Sequence, residues 1–224
     1  MTRSDIPDIV IGRLPIYLRA LTRLQQEGHE ITSSHELGQR LGISSAQIRK
    51  DLSHFGEFGK QGTGYTIKTL STELQRILNI EQEWRVALVG VGDLGRALAR
   101  YGGFAHRGFR ITHLFDNAPD KVNQHINDLS VYPFEEMVDI IRETGLKIAM
   151  IATPADSAQE VADKLVEAGI VAILNYAPIV ITVPKGVQIK YIDPGIHLQH
   201  MTYRRGALQH TPDDLCDQCE RHRD

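Results

Sequence analysis

Three glycines with the spacing G-x-G-x-x-G, Gly90, Gly92 and Gly95, follow the apolar run Val86-Ala87-Leu88-Val89. Val91, Asp93 and Leu94 complete the loop, and Arg96-Ala97-Leu98-Ala99-Arg100-Tyr101 comes after it. The apolar run reads as a strand. The stretch after the loop reads as a helix, because Leu94, Ala97, Leu98 and Tyr101 stand at i, i+3, i+4 and i+7. Each glycine has a task in a dinucleotide site. Gly90 makes the tight turn after the strand, Gly92 lets backbone approach a pyrophosphate, and Gly95 lets helix and strand pack closely. The helix N-terminus adds free N–H groups and the positive end of its dipole, which suit phosphates. A glycine-rich strand-to-helix turn without a ligand is the competing reading, and the spacing alone does not dismiss it.

Further ligand candidates fall at the ends of later strands. Asp116 closes a strand over Phe109–Phe115 and lies twenty-one residues beyond Gly95. An acidic residue there suits the ribose hydroxyls of NAD and repels the extra phosphate of NADP. It is also placed to open the turn Asp116-Asn117-Ala118-Pro119. Thr153 and Pro154, then Asn175, Tyr176, Ala177 and Pro178, are candidate walls for a nicotinamide ring. Catalysis would need an acid–base group beside that ring. Ten histidines are scattered along the chain, with no Tyr-x-x-x-Lys pair, nucleophile elbow or metal motif at a strand end. The residues point to a site that binds rather than one that transforms.

A second set of polar residues suits DNA. Leu14, Tyr17, Leu18, Leu21 and Leu24 share one face of a helix expected over about Pro15 to Glu27 and stopped by Gly28. Ser33 with Glu36, and Ser44 with Gln47, are capping boxes opening two further helices, Ser34 to Leu41 and about Ser45 to His54. The turn Gly42-Ile43-Ser44 between them gives a helix-turn-helix signature. On the third helix Gln47, Arg49, Lys50 and Ser53, with Ser44 and Ser45 at its start, are candidate DNA contacts. Arg suits guanine, Gln suits adenine, and Lys and Ser suit phosphate. Ala46, Ile48 and Leu52 are left for the core. The glycine-rich stretch Phe55 to Ile67 reads as a β-hairpin wing presenting Lys60 to a phosphate or the minor groove. The alternative is a three-helix protein-interaction module with a solvated charged face. Leu70, Leu74, Ile77 and Leu78 then make a connecting helix up to a boundary at Glu81-Gln82-Glu83.

The whole chain bounds these readings. Its 224 residues allow one large or two modest domains, and 42% hydrophobic with 24% charged residues is ordinary for a globular protein. No apolar run reaches the roughly 20 residues that span a bilayer. The N-terminus lacks the features of a secretory signal, so a reducing cytoplasm and no membrane partner are expected. The net charge of −3 hides a split. Residues 1–80 hold ten Lys and Arg against eight Asp and Glu, a net of +2, and 81–224 hold fifteen against twenty, a net of −5. DNA contact must therefore come from a local cluster.

Further strands are expected at Leu146–Ile151, Val171–Leu174 and Val180–Val183, with a helix over about Asp156–Ala168. The expected fold class is α/β. A winged-helix domain covers 1–80, with its helix-turn-helix at about 16–55 and its wing at about 56–67. A Rossmann-like doubly wound parallel sheet covers 81–195. A C-terminal helix follows over 196–210, and a tail expected to be disordered covers 211–224. That tail carries Cys216 and Cys219, the two cysteines of the chain. A lone C-x-x-C supports neither zinc nor thioredoxin chemistry, and a redox input through a Cys216–Cys219 disulfide is the sharper alternative.

Ile48-Arg49-Lys50-Asp51-Leu52-Ser53, Phe55-Gly56, the Gly59–Tyr65 wing, Gly90–Gly95, Phe115-Asp116, Asn175–Pro178 and Val183-Pro184 occur in one fixed order. Together they resemble the Rex family of redox-sensing transcriptional repressors of bacteria, from about Ile6 to Leu198. The resemblance implies a homodimer that binds a palindromic double-stranded DNA operator and leaves it when NADH replaces NAD⁺, with the C-terminal helix exchanged between subunits. It also implies a switch in which Asp193 pairs with Arg19 in the DNA-binding form and with Tyr101 across the dimer in the NADH form. Three features depart from the family pattern: Pro194 after Asp193, Asn117-Ala118 after Asp116, and the polar segment Gly195 to Leu208 with its cysteine tail. A regulator responding to another nucleotide or to coenzyme A, and an NAD-dependent dehydrogenase, stay open as alternatives.

Overall fold

The computed structural model describes residues 6–59 and 64–209, with side chains up to Tyr203. Lys60, Cys216 and Cys219 lie outside the described residues. The chain divides into two compact units, Met1–Glu83 and Trp84–Asp224.

The first unit runs α1 (Asp8–Gln26), β1 (Ile31–Thr32), α2 (Ser34–Leu41), α3 (Ser45–Ser53), β2 (Tyr65–Thr66) and α4 (Ile67–Ile77). Helix α1 begins at Asp8, not at Pro15, which lies inside it on an exposed position. The apolar stripe explains the earlier start: Val10 and Leu14 extend Tyr17, Leu21 and Leu24 by helical steps, and all five are buried. The serine halves of the two capping boxes form, while the Glu36 carboxylate instead accepts from the Thr32 hydroxyl and Gln47 Nε2 donates to Asp51. The Ser33 hydroxyl accepts from the Glu36 N–H at 3.1 Å and the Ser44 hydroxyl from the Gln47 N–H at 3.2 Å. Residues 60–63 of the expected wing lie outside the described residues. Strand β2 pairs antiparallel with β1, Ile31 opposite Thr66. Gly59 and Gly64 come close on either side of 60–63, since a Cβ on Gly59 would lie 2.6 Å from the Gly64 carbonyl oxygen.

Helix α3 is fixed by apolar and polar contacts together. Ile48 and Leu52 are buried, while Ala46, expected in the core, is exposed. Between them Asp51 is fully buried. Its carboxylate accepts from Arg13 Nε at 2.6 Å, Arg13 Nη2 at 2.8 Å, the Tyr17 hydroxyl at 2.5 Å and Gln47 Nε2 at 2.6 Å. Burial pushes the Asp51 pKa up. The hydrogen bonds from Arg13, Tyr17 and Gln47 outweigh that, and the carboxyl sits below its ordinary range.

The second unit runs β3 (Trp84–Val89), α5 (Asp93–Arg100), a 3₁₀ turn (Gly102–Arg107), β4 (Phe109–Asp116), β5 (His125–Ile126), β6 (Leu129–Pro133), α6 (Met137–Thr144), β7 (Ile148–Ile151), α7 (Ala155–Glu167), β8 (Ala172–Asn175), β9 (Gln188–Tyr191) and α8 (Pro194–Gln209). The strands form one sheet in the order β5-β6-β4-β3-β7-β8-β9, parallel throughout except for β5 against β6. Strand β3 is apolar over Val86–Val89 because both faces of the sheet are covered. Val86 and Leu88 join a cluster with Leu98 and Leu114, and Ala87 and Val89 join the opposite one with Met137, Ile141 and Val161. The chain leaves β3 through β4 to β6, then crosses back to β7. That reversal opens a crevice at the C-terminal ends of β3 and β7, where doubly wound sheets bind ligands.

One expectation fails here. Val180–Val183 is not a strand, and the place beside β8 is taken by β9, with Asn175 opposite Tyr191. Pro178 and Pro184 bracket the segment, Val180 is 82% exposed, and the Ile181 N–H is bonded to the Tyr191 hydroxyl at 3.1 Å instead of a ladder carbonyl. Short β5, β6 and α6 also occupy a stretch that shows no clear hydrophobic period.

The Asp51 network makes acid stability testable. A carboxyl whose folded pKa is lowered contributes stability that is full above its unfolded value, near pH 4, and is lost as pH falls through the folded pKa. Asp51→Ala leaves the Arg13 guanidinium without its partner and is expected to cost about 3–5 kcal/mol at neutral pH. Urea unfolding from pH 7 to pH 3 should show that deficit shrinking toward the acid end.

Candidate functional site

A cavity of about 450 Å³ opens at the crevice, within the size range of small-molecule sites. Gly90, Gly92, Asp93 and Leu94 line one side, Asp116 another, and Thr153 and Pro154 a third, all sequence candidates. Val91 and Gly95 are buried beneath them. Gly90 turns with φ of 94°, and a Cβ there would lie 2.6 Å from the Ala152 carbonyl oxygen. A Cβ on Gly95 would overlap the Gly90 carbonyl oxygen, whereas one on Gly92 meets nothing within 4 Å. The loop is therefore packed tight below and open above, as a phosphate cradle must be. Thr153 lines the cavity, and its hydroxyl is buried behind the wall without a partner among the described residues. These residues fit a dinucleotide: the loop and the α5 N-terminus would hold its pyrophosphate.

Asp116 does more than face a ribose. It is 5% exposed, accepts from the Val91 N–H at 2.6 Å and the Ala118 N–H at 2.9 Å, and meets Lys121 Nζ at 3.3 Å. It therefore opens its turn and clamps the glycine loop, with only part of its acceptor capacity left for a ribose. Burial raises its pKa, but the two N–H groups and the Lys121 ammonium outweigh burial and keep the carboxyl below its usual range. Lys121 also lines the cavity, as do Asn117, Phe134, Ser157 and Glu160. None was a ligand candidate from sequence, because they lie in turns or on α7, where side-chain type gives no periodic signal.

The four residues at the end of β8 sit elsewhere than expected. Asn175, Tyr176, Ala177 and Pro178 do not line this cavity. Asn175 is fully buried and turned into its own loop, accepting from the Ala177 N–H at 2.9 Å and donating to the carbonyls of Ala177 and Ile179 at 3.0 and 3.1 Å. It sets the shape of the loop that leads to exposed Ile179 and Val180. Of the switch candidates, Arg19 is exposed on α1. Tyr101 ends α5 half exposed, its ring edge-on to Phe104 with centroids 5.0 Å apart. Asp193 caps α8, accepting from the Gly195 N–H at 2.8 Å. Helix α8 bares Ile196, Leu198, Met201 and Tyr203, all more than 60% exposed.

On the first unit, Arg49, Lys50 and Ser53 lie on the open face of α3. Arg49 donates to the Ser34 hydroxyl at 3.0 Å, which orients its guanidinium, and Ser53 donates to the Lys50 carbonyl. Ser44 serves as the cap and Ser45 is half-buried beside it. Gln47 is half-buried and its Nε2 donates to the buried Asp51 carboxylate at 2.6 Å, so this donor is turned inward.

A capped helix-turn-helix with a short wing, carried on one chain with a dinucleotide-type cleft, defines a DNA-binding regulator that answers to a nucleotide. Comparisons make the class particular. Residues 5–53 match a family model described as a putative DNA-binding protein N-terminus, and residues 81–179 match a CoA binding domain model. A redox-sensing transcriptional repressor Rex from Roseiflexus sp. is 55% identical over 89% of this chain and 91% of its own. The Streptomyces coelicolor repressor of that name is 44% identical over 90% of this chain and 79% of its own. Among solved structures, RSP in complex with β-NAD⁺ and operator DNA matches with TM-score 0.88 at 34% identity, over 98% of this chain and 99% of that one. RSP in complex with β-NADH matches with TM-score 0.82 at 32% identity, over 96% and 99%. The chain belongs to the Rex family of redox-sensing transcriptional repressors.

The glycine loop separates folding from binding. Gly92→Ala adds a methyl into open space, so stability should change by less than about 0.5 kcal/mol. Dinucleotide affinity should still fall at least about tenfold, because the methyl stands where a pyrophosphate approaches. Gly95→Ala, which collides with Gly90, should lose both. Calorimetric titration with NADH beside thermal melting of each variant distinguishes the two.

Proposed function

We propose that this chain represses transcription by binding a palindromic operator as a homodimer, and that NADH replacing NAD⁺ releases it. The observation that carries this reading is the joining of the exposed Arg49–Lys50 helix to the Gly90–Gly95 cleft in a family member similar to RSP. That protein has been crystallised with β-NAD⁺ and operator DNA and with β-NADH. The dinucleotide is here a signal and not a co-substrate, so the chain is not an enzyme, and it acts in the cytoplasm where DNA and the NADH pool meet.

Two recognition helices must stand about 34 Å apart to enter successive major grooves on one face of a duplex, so a change in dimer geometry ends binding. NADH can drive that change only by preferring the released form. A hundredfold preference is about 2.7 kcal/mol at each site, and two sites give about 5.5 kcal/mol, enough to empty most operators. The neutral ring of NADH suits apolar surroundings better than the charged ring of NAD⁺. The bare apolar side chains of α8 and of Ile179–Val180 support a second copy covering them and forming those surroundings. Asp193 is the moving contact, held by Arg19 in the DNA-bound form and by Tyr101 of the partner subunit in the released form.

A second reading comes from the CoA binding model matched over residues 81–179. Coenzyme A shares an adenosine and a pyrophosphate with NADH, so the same loop would accept it. Operator-binding titrations with NADH, NAD⁺, NADPH and coenzyme A decide between them. Release at micromolar NADH, opposed by NAD⁺, is the expected outcome. Indifference to NADH with release by coenzyme A would select the second reading. In the same assay Tyr101→Phe should need more NADH for release than wild type, and an unchanged requirement would remove Asp193 from the switch. Arg49→Ala should lose about 1–3 kcal/mol of discrimination at one base pair, whereas Lys60→Ala should weaken binding to all sequences and flatten the salt dependence.

A further inference from the structure

The polar network under α3 gives a role to residues that touch no nucleic acid. Arg49, Lys50 and Ser53 occupy the open face of α3, and Ile48, Asp51 and Leu52 the buried one. Apolar contacts alone tolerate small rotations of a helix about its axis. A guanidinium fork on a buried carboxylate does not, because two parallel N–H···O bonds fix both angle and distance. Arg13 and Tyr17, both on α1, supply three of the four bonds to Asp51. Gln47 supplies the fourth from one turn earlier on α3 itself. It is half-buried, at the border between the two faces, and its amide turns inward.

We infer that Arg13 and Tyr17 are positioning residues for sequence readout: through Asp51 they set the rotation at which α3 presents Arg49 and Lys50, while Gln47, on α3 itself, orients the Asp51 carboxylate for them and reads no base. This rests on the operator-binding reading above. Phosphate contacts tolerate a rotated helix better than base-edge hydrogen bonds do, since a phosphate is met by charge and a base edge by direction. Loosening the network therefore costs specificity before it costs affinity for DNA in general.

The test uses the full-length protein and a duplex selected by the wild type from a randomised pool. Gln47→Met keeps side-chain length and helix propensity but removes the donor, and Tyr17→Phe removes a single hydroxyl. Each variant is titrated against the selected duplex, every single-base-pair variant of it, and an unrelated duplex, with thermal melting as the folding control. The expected result is a fivefold to tenfold drop in selectivity over unrelated DNA, the equivalent of about one hydrogen bond. The drop should be spread over all positions that α3 reads, with the unrelated-duplex affinity and its salt slope unchanged. Relaxed preference at a single base pair in Gln47→Met, with the other positions intact, would make Gln47 a base reader and overturn the inference. So would unchanged selectivity in Tyr17→Phe. A wild type that prefers no duplex would instead bring down the operator-binding reading itself.

Discussion

Removing a carboxylate from water is costly unless its charge is answered by donors held in place, and each unit of this chain does so at the element its function uses. In the first unit Asp51 anchors α3, the helix that faces outward with Arg49 and Lys50. In the second, Asp116 reaches from the end of β4 to the Val91 N–H and holds the glycine loop in its turn. Neither carboxylate is spare: both are committed to the protein's own donors. The two elements that must meet a ligand with fixed geometry, a readout helix and a phosphate cradle, are thereby set in advance. Preorganisation of this kind lowers the ordering cost of binding.

The contrast between the two glycine-loop neighbours sharpens the point. Gly95 lies packed against Gly90, so its missing Cβ serves the fold, while Gly92 faces open space and its missing Cβ serves the ligand. Asn175 is on the fold side, spending its whole amide on the loop after β8.

What could be read from the sequence was local. The glycine spacing, the two Ser caps, the Gly42 stop and the apolar strands are short-range signals with one physical cause each, and they placed the cleft and α3 correctly. What could not be read was set by distant partners. Gln47 has the right chemistry for adenine, and its i,i+4 bond to Asp51 matters because Arg13 and Tyr17, 38 and 34 residues away, hold that carboxylate buried. Asp116 and Val91 are 25 residues apart. Strand β2 pairs with β1 across α2 and α3, a partner more than thirty residues away. Val180–Val183 has strand composition, yet β9 fills the sheet position and two prolines bracket the loop. Pro15 misled for the opposite reason: a local rule placed a helix start where a longer apolar stripe had already begun one.

The division of labour in the cleft limits where a redox signal can arise. With a pyrophosphate on the glycine loop, the loop, Asp116 and Lys121 would face the half of a dinucleotide that oxidation leaves unchanged, and would supply affinity without discrimination. A ligand with equal affinity for two conformations shifts nothing, however tightly it binds. Discrimination must come from the nicotinamide end. On this chain the loop that leads away from β8 ends in bare Ile179 and Val180, and α8 carries a row of bare apolar side chains. A second copy that covers these surfaces would complete the apolar surroundings only in one dimer geometry. The preference for a neutral ring would then become a preference for that geometry. In this arrangement sensing belongs to the dimer, and the single chain supplies the grip.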